Sequence, residues 1–401
     1  MAPPAFLPES ASLAEIGYTP GARWLRPSEW PAEADYLFQP RPFDASTSPA
    51  IITRYDDVLN VMLDPDGIWC RQVPLTVLPS EDRHCIIDAS WMMDGEVHKQ
   101  LRRTLRHINR GSTTQAREFT RALTRQLLVR LMDEPPPWNL SRVIDEVSMR
   151  VIIEHTLQAP PLLAHAVQLR ELWREIGANN GFSGIVRQPE FEAILQRVPE
   201  QYHDLPDGLA RYLVDLRSSG LMTDRQLVSQ LGMLVTSYET QAATAASLIG
   251  MLLEYDLHGY AVQATGQPEL MRGIVAEGGR RGISFPANLM TPAVPVTIDG
   301  QTAPAGEPVL VSYAAANMDP IRFGADASRF DPRPRRPAHL AFGEGLHRCQ
   351  GEVGGEQFVE DVLAAMLTEL PDSIQLAHDG QVLRETAGIS WTIPQLLVRP
   401  G

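Results

Sequence analysis

Lysine is almost missing from this chain: Lys99 is the only one, so its 35 basic residues are otherwise arginine, a bias that reads as the mark of a GC-rich genome. The 49 acidic residues outweigh them, and the formal net charge of −14 argues against nucleic acid as a general partner. Cysteine is also scarce. Cys70, Cys85 and Cys349 form an odd and sparse set, which excludes a disulfide framework and points to a reducing compartment. Long apolar runs are lacking too. None approaches the ~18 residues of a membrane span, and the opening Met1-Ala2-Pro3-Pro4 has no charged n-region of a signal peptide. A cytoplasmic protein with no membrane contact is therefore expected. No internal repeat, low-complexity tract or linker marks a boundary, so residues 1–401 are expected to form one domain, with an irregular lead-in over about 1–49.

The apolar content of 44% suits a large core, and its spacing is mostly helical. A short strand opens at Ala50-Ile51-Ile52, and a helix with early acids follows from Tyr55 to Leu63. The stretch from Arg71 to Met93 has no sustained period, and a loop of that length inside a compact chain is usually functional. A further helix starts near Gly95. It places His98 and Arg102, four apart, on one face, and Arg103, Arg106 and Arg110 continue the positive charge. From Thr113 to about Leu221 the pattern is nearly all helical, broken by the turn chemistry of Asn179-Asn180-Gly181. Thr223 and Gln226 then form a capping box for a helix reaching Glu254, which at ~1.5 Å per residue is long enough to cross the molecule. Alternation near 293–298, the turn Asp299-Gly300 and the run 308–311 predict a small sheet, and the stretches 373–376, 381–383 and 393–398 read as terminal strands. The fold class is mainly α with small β-sheets (α+β).

The informative stretch runs from His339 to Gly351. Cys349 ends a glycine-punctuated loop and directly precedes the apolar-periodic run Val353, Phe358, Val362, Leu363, Met366 and Leu367. A sulfur at a helix N-terminus meets unpaired N–H groups and the positive end of the dipole, which favour thiolate over thiol, and Arg348 adds charge of the same sign. Such a thiolate is a nucleophile or a metal ligand. Gly343 and Gly345 permit positive φ, and Gly351 lets something flat and bulky approach the backbone.

Phe342, Gly345, Cys349 and Gly351 reproduce Phe-x-x-Gly-x-x-x-Cys-x-Gly, and in this the chain resembles the cytochromes P450, specifically the soluble bacterial type. The resemblance implies a P450 fold with its long central helix over a haem b. By it, Cys349 is the axial thiolate of the iron and Phe342, Gly343, Gly345 and Gly351 pack around the cofactor. His98, Arg102 and His347 are implied to bind the haem propionates. The family often adds an arginine in the strand after its Glu-x-x-Arg motif, and here the stretch from Phe285 to Ile298 has none. Glu239 and Thr240 match the acid-alcohol pair that delivers protons to dioxygen, although Thr236 and Ser237 replace the usual Ala-Gly just before it. Glu277, Arg280 and Arg329 are implied to form a buried ion-pair network supporting the cysteine loop. Gly278 and Gly279 inside the same helix suggest an unusually close neighbour. Asn317 and Asp319-Pro320 match another family segment, with Met318 where arginine is usual.

By this resemblance the chain is expected to be a haem-thiolate monooxygenase using O2 and electrons from NAD(P)H, passed through a ferredoxin reductase and a ferredoxin to a monomeric enzyme. Arg103, Arg106, Arg110 and Arg348 are placed to dock that ferredoxin. Alternatives are an oxidative coupling enzyme that inserts no oxygen, which the altered Thr236-Ser237 pair keeps open, and a non-catalytic haem protein. The pocket walls are expected at Met92, Met93, Asn179, Asn180, Phe182, Tyr238, Asn288, Leu289, Met290 and Trp391. Large apolar surfaces with a few amides suit an aromatic amino-acid-derived or peptide natural product of bacterial secondary metabolism.

Overall fold

The computed structural model describes residues 43, 45–46, 50–71, 89–105, 111–180, 189–333, 337–371, 373–377, 383–387 and 390–401; at 104, 175–180, 383–387 and 390–391 only the backbone is described. The expected lead-in and most of the stretch between Arg71 and Met93, with Cys85, Arg106, Arg110 and Phe182, lie outside these residues.

The first strands and helix are β1 (Ala50–Ile52), α1 (Tyr55–Leu63) and β2 (Trp69–Cys70). Helix α1 has the bounds its apolar spacing predicts, and it buries Tyr55, Val58, Val61 and Met62. After α2 (Gly95–Thr104) come α3 (Thr114–Met132), β3 (Trp138–Asn139) and α4 (Leu140–Val151), the last continuing as a π-helical turn over Ile152–Leu157. Helices α5 (Ala166–Asn180), α6 (Pro189–Glu200) and α7 (Leu209–Ser218) lead to α8 (Asp224–Glu254). The capping box is present: Thr223 Oγ1 accepts from Gln226 N at 3.1 Å, and Gln226 Oε1 accepts from Thr223 N at 3.0 Å. With 31 residues, α8 is ~46 Å long and apolar on nearly every side, as a helix enclosed by others must be.

Next in the chain are α9 (His258–Ala264), α10 (Pro268–Arg281), β4 (Ala287–Pro292), β5 (Val296–Ile298), β6 (Gln301–Ala303), β7 (Val309–Ser312), α11 (Tyr313–Ala316) and α12 (Pro320–Phe323). The chain closes with α13 (Glu352–Glu369), β8 (Ile374–Leu376), β9 (Leu383–Ala387), β10 (Ser390–Gln395) and β11 (Leu397–Pro400). One four-stranded sheet has the order β1-β7-β4-β2, parallel only between β1 and β7. A three-stranded sheet has the order β3-β11-β8, and β5-β6 and β9-β10 are hairpins.

Three apolar clusters hold these elements together. One joins α3, α4, α13 and the second half of α8, and a second underlies the four-stranded sheet and α1. The third packs α5, α6, α7 and the π-helical turn against the first half of α8. In α10 the close neighbour is real: a Cβ on Gly278 would lie 2.9 Å from Leu248 Cδ1 of α8, and one on Gly279 3.2 Å from the His339 ring.

Glu277 and Arg280 are both buried and form a two-pronged pair, Nε and Nη2 each 2.7 Å from a carboxylate oxygen. The expected third partner is different. The Arg329 side chain is exposed, and what joins the pair is its backbone carbonyl, 3.2 Å from Arg280 Nη2. Carbonyls satisfy a guanidinium hydrogen without introducing a second buried cation that would repel the first.

Candidate functional site

The loop before α13 is built around two left-handed glycines. Gly343 and Gly345 have φ of 68° and 69°, and a Cβ on Gly345 would lie 2.3 Å from the backbone oxygen of Met62 at the end of α1. Backbone bonds close the loop: Gly343 N donates to Leu340 O (3.0 Å), Cys349 N to Phe342 O (2.8 Å), and Arg348 N to Gly345 O (3.2 Å). Phe342 packs 3.9 Å from the position of a Cβ on Gly355, and the Cys349 sulfur lies 3.7 Å from that of a Cβ on Gly351.

Cys349 lies deep in the chain yet remains accessible, as a residue lining an interior space is. Burial raises its thiol pKa; the backbone N–H groups of Gly351 and Glu352 and the charge of Arg102 pull the other way. The helix N-terminus thus acts as its sequence position implies, but burial is the larger effect. The helpful cation is also not Arg348, whose guanidinium is bound to Glu352 at 2.7 Å and to Glu344 at 3.3 Å.

Three residues of α2 and its approach converge on this loop. His98 is buried, with Nδ1 2.7 Å from Ser90 O and Nε2 3.1 Å from Leu346 O. Arg102 Nη2 donates to Arg348 O at 2.6 Å. Asp94 accepts from Arg71 N at 2.8 Å and from His347 Nε2 at 3.0 Å. Burial opposes ionisation of Asp94, but these bonds and the neighbouring Arg71 and His347 charges hold its pKa below the usual carboxylate value. His347 is pushed down to about 4, chiefly by burial, and its Nδ1 is buried with no hydrogen-bond partner among the described residues. Asp94 is the member of this group for which the sequence offers no signal beyond a position before a helix.

Helix α8 supplies the other wall. Most of it is buried, and among its partly accessible positions Met233, Ser237, Thr240 and Thr244 follow helical spacing along one face. Its hydroxyls donate inward: Thr236 to Met233 O (3.1 Å), Ser237 to Leu234 O (2.6 Å), Thr240 to Ser237 O (3.0 Å) and Thr244 to Thr240 O (2.9 Å). Glu239 is buried and turned toward α5, with Oε2 accepting from Trp173 Nε1 at 3.0 Å. Ser90 links the two walls, since its N donates to Gln230 Oε1 (3.2 Å) and its Oγ to Met233 Sδ (3.8 Å) while its carbonyl meets His98.

The expected pocket residues scatter. Tyr238 is 1% exposed and belongs to the cluster behind α8, because it continues the apolar stripe of Leu227, Leu231 and Leu234 and not the hydroxyl face. Met93 packs against that same cluster, and Met92 is half-buried in the turn closed by its N–H on Ala89 O (3.1 Å). Asn288 is buried beside Met290, and Leu289 packs on the cluster under the four-stranded sheet. Met290 lines a cavity beside the cysteine loop together with Arg71, Asp94, Tyr313, Leu346 and His347. Asn179 and Asn180 end α5 and Trp391 lies in β10, and their side chains are outside the described residues. Of the arginines expected to dock a partner, Arg103 pairs with Glu96 at 3.6 Å and Arg348 is bound as above.

No family model matches the chain. It is 27% identical over 359 residues to the mycinamicin IV hydroxylase/epoxidase of Micromonospora griseorubida, a match spanning 84% of this chain and 86% of that protein. It is 36% identical over 170 residues to the cytochrome P450 monooxygenase PikC of Streptomyces venezuelae, spanning 42% of this chain and 40% of PikC. The fold matches the crystal structure of mycinamicin VIII C21 methyl hydroxylase from Micromonospora griseorubida, bound to mycinamicin VIII, with a TM-score of 0.73 at 23% identity over 87% of this chain and 89% of that one. The chain belongs to the cytochrome P450 superfamily, among the Streptomyces and Micromonospora type. It is a P450 monooxygenase, and its cofactor is a haem held by a thiolate. No helix among the described residues is long and apolar enough to cross a membrane.

The residues at the loop fit that cofactor. Cys349 is accessible, Gly351 leaves contact distance beside its sulfur, and the orphaned Nδ1 of His347 marks a polar group awaiting a partner.

His339, at the start of the same loop, carries a pH dependence. Burial pushes its pKa from 6.5 down to about 4, and its Nδ1 accepts from Ala341 N at 3.3 Å, which requires a free lone pair. The unfolded chain therefore binds a proton at His339 that the folded chain refuses, so this contribution to stability is complete above about pH 6.5 and is lost as pH falls toward 4. Urea unfolding followed between pH 7 and pH 4 should show a shallower loss of stability for His339→Gln than for the parent.

Proposed function

We propose that Cys349 is the residue that ligates the haem iron, that Thr240 and Glu239 handle the protons, and that the substrate is a macrolide-type secondary metabolite. The observation that carries the ligand assignment is the loop itself: two left-handed glycines, one of them pressed on Met62, present an accessible cysteine at the start of α13. A bound haem supplies the place where dioxygen is split, with one oxygen atom entering a substrate C–H bond and the other leaving as water at the cost of two electrons and two protons.

The chain's own part is to position and to move protons. Gly351 and Glu352 N–H groups stabilise a negative sulfur at Cys349. Arg102 lends its charge from α2, and together with His347, whose Nδ1 has no partner among the described residues, it is our candidate for the haem carboxylates; His98, with both ring nitrogens on backbone carbonyls, would have to release one to join them. Thr240 Oγ1 lies on the accessible face of α8 with its hydrogen on Ser237 O and its lone pairs free to accept, so a proton passed to it can be handed on by rotation of the hydroxyl. Glu239 sits one residue earlier, tethered to the Trp173 indole, and serves as the titratable group behind that hydroxyl. Electrons come from NAD(P)H through a ferredoxin reductase and a ferredoxin.

The substrate reading rests on likeness spanning most of the chain to an enzyme named for mycinamicin IV. An oxygenated macrocycle also suits the hydroxyl stripe of Ser237, Thr240 and Thr244. The aromatic and peptide preference expected from the ten pocket residues loses support, since Tyr238 lies in the core and Met290 at the cysteine-loop cavity.

Three measurements test these statements. The reduced carbon monoxide complex should absorb at the thiolate position and Cys349→Ala should lose that band; its persistence would remove Cys349 from the role. Thr240→Ala should bind substrate normally and divert reducing equivalents to peroxide, with product formation down by about 100-fold or more. In a spin-state titration, mycinamicin-type macrolides should bind tighter than aromatic peptides, terpenes or fatty acids; tighter binding of an aromatic peptide, with coupled product lacking added oxygen, would favour oxidative coupling instead.

A further inference from the structure

The cavity beside the cysteine loop is lined by Arg71, Asp94, Met290, Tyr313, Leu346 and His347, with apolar walls from α1 and β2. Its charges do not balance. Asp94 is already bonded to Arg71 N and His347, and the other carboxylate on the wall, Asp64, accepts from Ile68 N at 2.8 Å and Trp69 N at 3.2 Å. Among the described residues the Arg71 guanidinium makes one hydrogen bond, from Nη1 to Trp91 O at 3.1 Å, and its Nε is buried with no partner. It forms no ion pair with a described carboxylate. Arg71 is close enough for its charge to act on both His347 and Arg102, and Arg102 in turn interacts with the Cys349 sulfur. Arg71, a cation with an unmet Nε donor, and the unpartnered His347 Nδ1 open on one cavity whose two carboxylates are already bonded, and such donors suit an anion.

The strand register adds a second, independent observation. Trp69 pairs with Pro292 and Cys70 with Thr291 in antiparallel β2 and β4; the ladder ends there, and just beyond it Arg71 and Met290 line the same cavity. Met290 lies in the stretch from Phe285 to Ile298, which contains no arginine. Its apolar thioether cannot hold a carboxylate, while the arginine at the same cavity can.

We propose that Arg71 is a haem-carboxylate residue of this enzyme, its guanidinium holding a propionate at the wall of the cavity it shares with Met290. The inference rests on the haem reading above. Its site lies at the rim of the cofactor, on the β2 side, and is separate from the contribution of Arg102 on α2. A two-pronged guanidinium contact also locks the cofactor's rotation in its plane, which a single flexible cation does not.

The experiment compares haem with its dimethyl ester, which lacks the anionic carboxylates, in the purified full-length protein, and follows transfer of each to excess apomyoglobin by the Soret band. Arg71→Met should release haem faster than the parent by about 10- to 100-fold, the effect of one charge-assisted hydrogen bond. It should lose most of the parent's discrimination between acid and ester, and Arg71→Lys should recover part of it. Arg103→Met, on the exposed side of α2, should behave as the parent. Equal release from the parent and Arg71→Met, or an unchanged acid-to-ester ratio, would overturn the proposal while leaving the haem reading intact. A parent that takes up no haem would instead overturn that reading. If Arg71→Met does not fold, the acid-to-ester ratio of Arg71→Lys against the parent decides, and an unaltered ratio there counts against Arg71.

Discussion

The Arg280 guanidinium is the interaction on which presentation of the cysteine depends. It is 1% exposed and has all five of its hydrogens placed: two on Glu277, and three on the carbonyls of Asn317, Ala327 and Arg329 at 2.6, 2.8 and 3.2 Å. An ion pair so buried is held only if every polar atom finds a partner, and removing one side costs about 3–5 kcal/mol. What makes it structural here is that the partners are backbone. Glu277 also receives Asp331 N at 3.0 Å, and Asn317 Oδ1 receives Leu340 N at 2.7 Å. Helix α10 thus fixes the path of the chain from Asn317 to Leu340, and the cysteine loop begins there, where Gly343 N closes onto Leu340 O.

From the other side the loop is gripped by the N-terminal half of the chain. Gly345 rests on the last turn of α1, Leu346 O meets His98, and His347 meets Asp94, 253 residues away in sequence. These contacts replace a covalent brace. They also concentrate polar groups on one rim of the loop, while Phe342 packs beside Gly355 and the sulfur beside Gly351. Such a division of labour suits a cofactor with an apolar ring and acidic side arms.

Helix α8 resolves the question raised by its extra hydroxyls. Thr236 and Ser237 turn their hydrogens back to carbonyls of the preceding turn, so they add bulk and acceptor lone pairs without adding free donors. Glu239 is equally constrained, its carboxylate bonded to an indole of α5. On the proposed role of Glu239 as the proton source for Thr240, the position of that carboxylate would depend on how α5 sits.

Much of this was legible in the sequence because it is local. The bounds of α1 and α8, the capping box at Thr223 and Gln226, the start of α2 and the left-handed glycines of the cysteine loop all follow from spacing and backbone sterics within a few residues. The signature from Phe342 to Gly351 identified the loop for the same reason, since a tight turn against a flat cofactor admits few residues. Tertiary structure alone decided which distant groups meet. It turned Tyr238 into the core by the phase of α8, drew Arg348 to Glu352, gave Arg329's carbonyl and not its guanidinium to Arg280, and brought Arg71 and Met290 to one cavity. Pattern in a chain records which face a residue occupies on its own element. The partner that satisfies a charge is chosen by whichever element packs against that face, and this is settled only when the whole chain has closed.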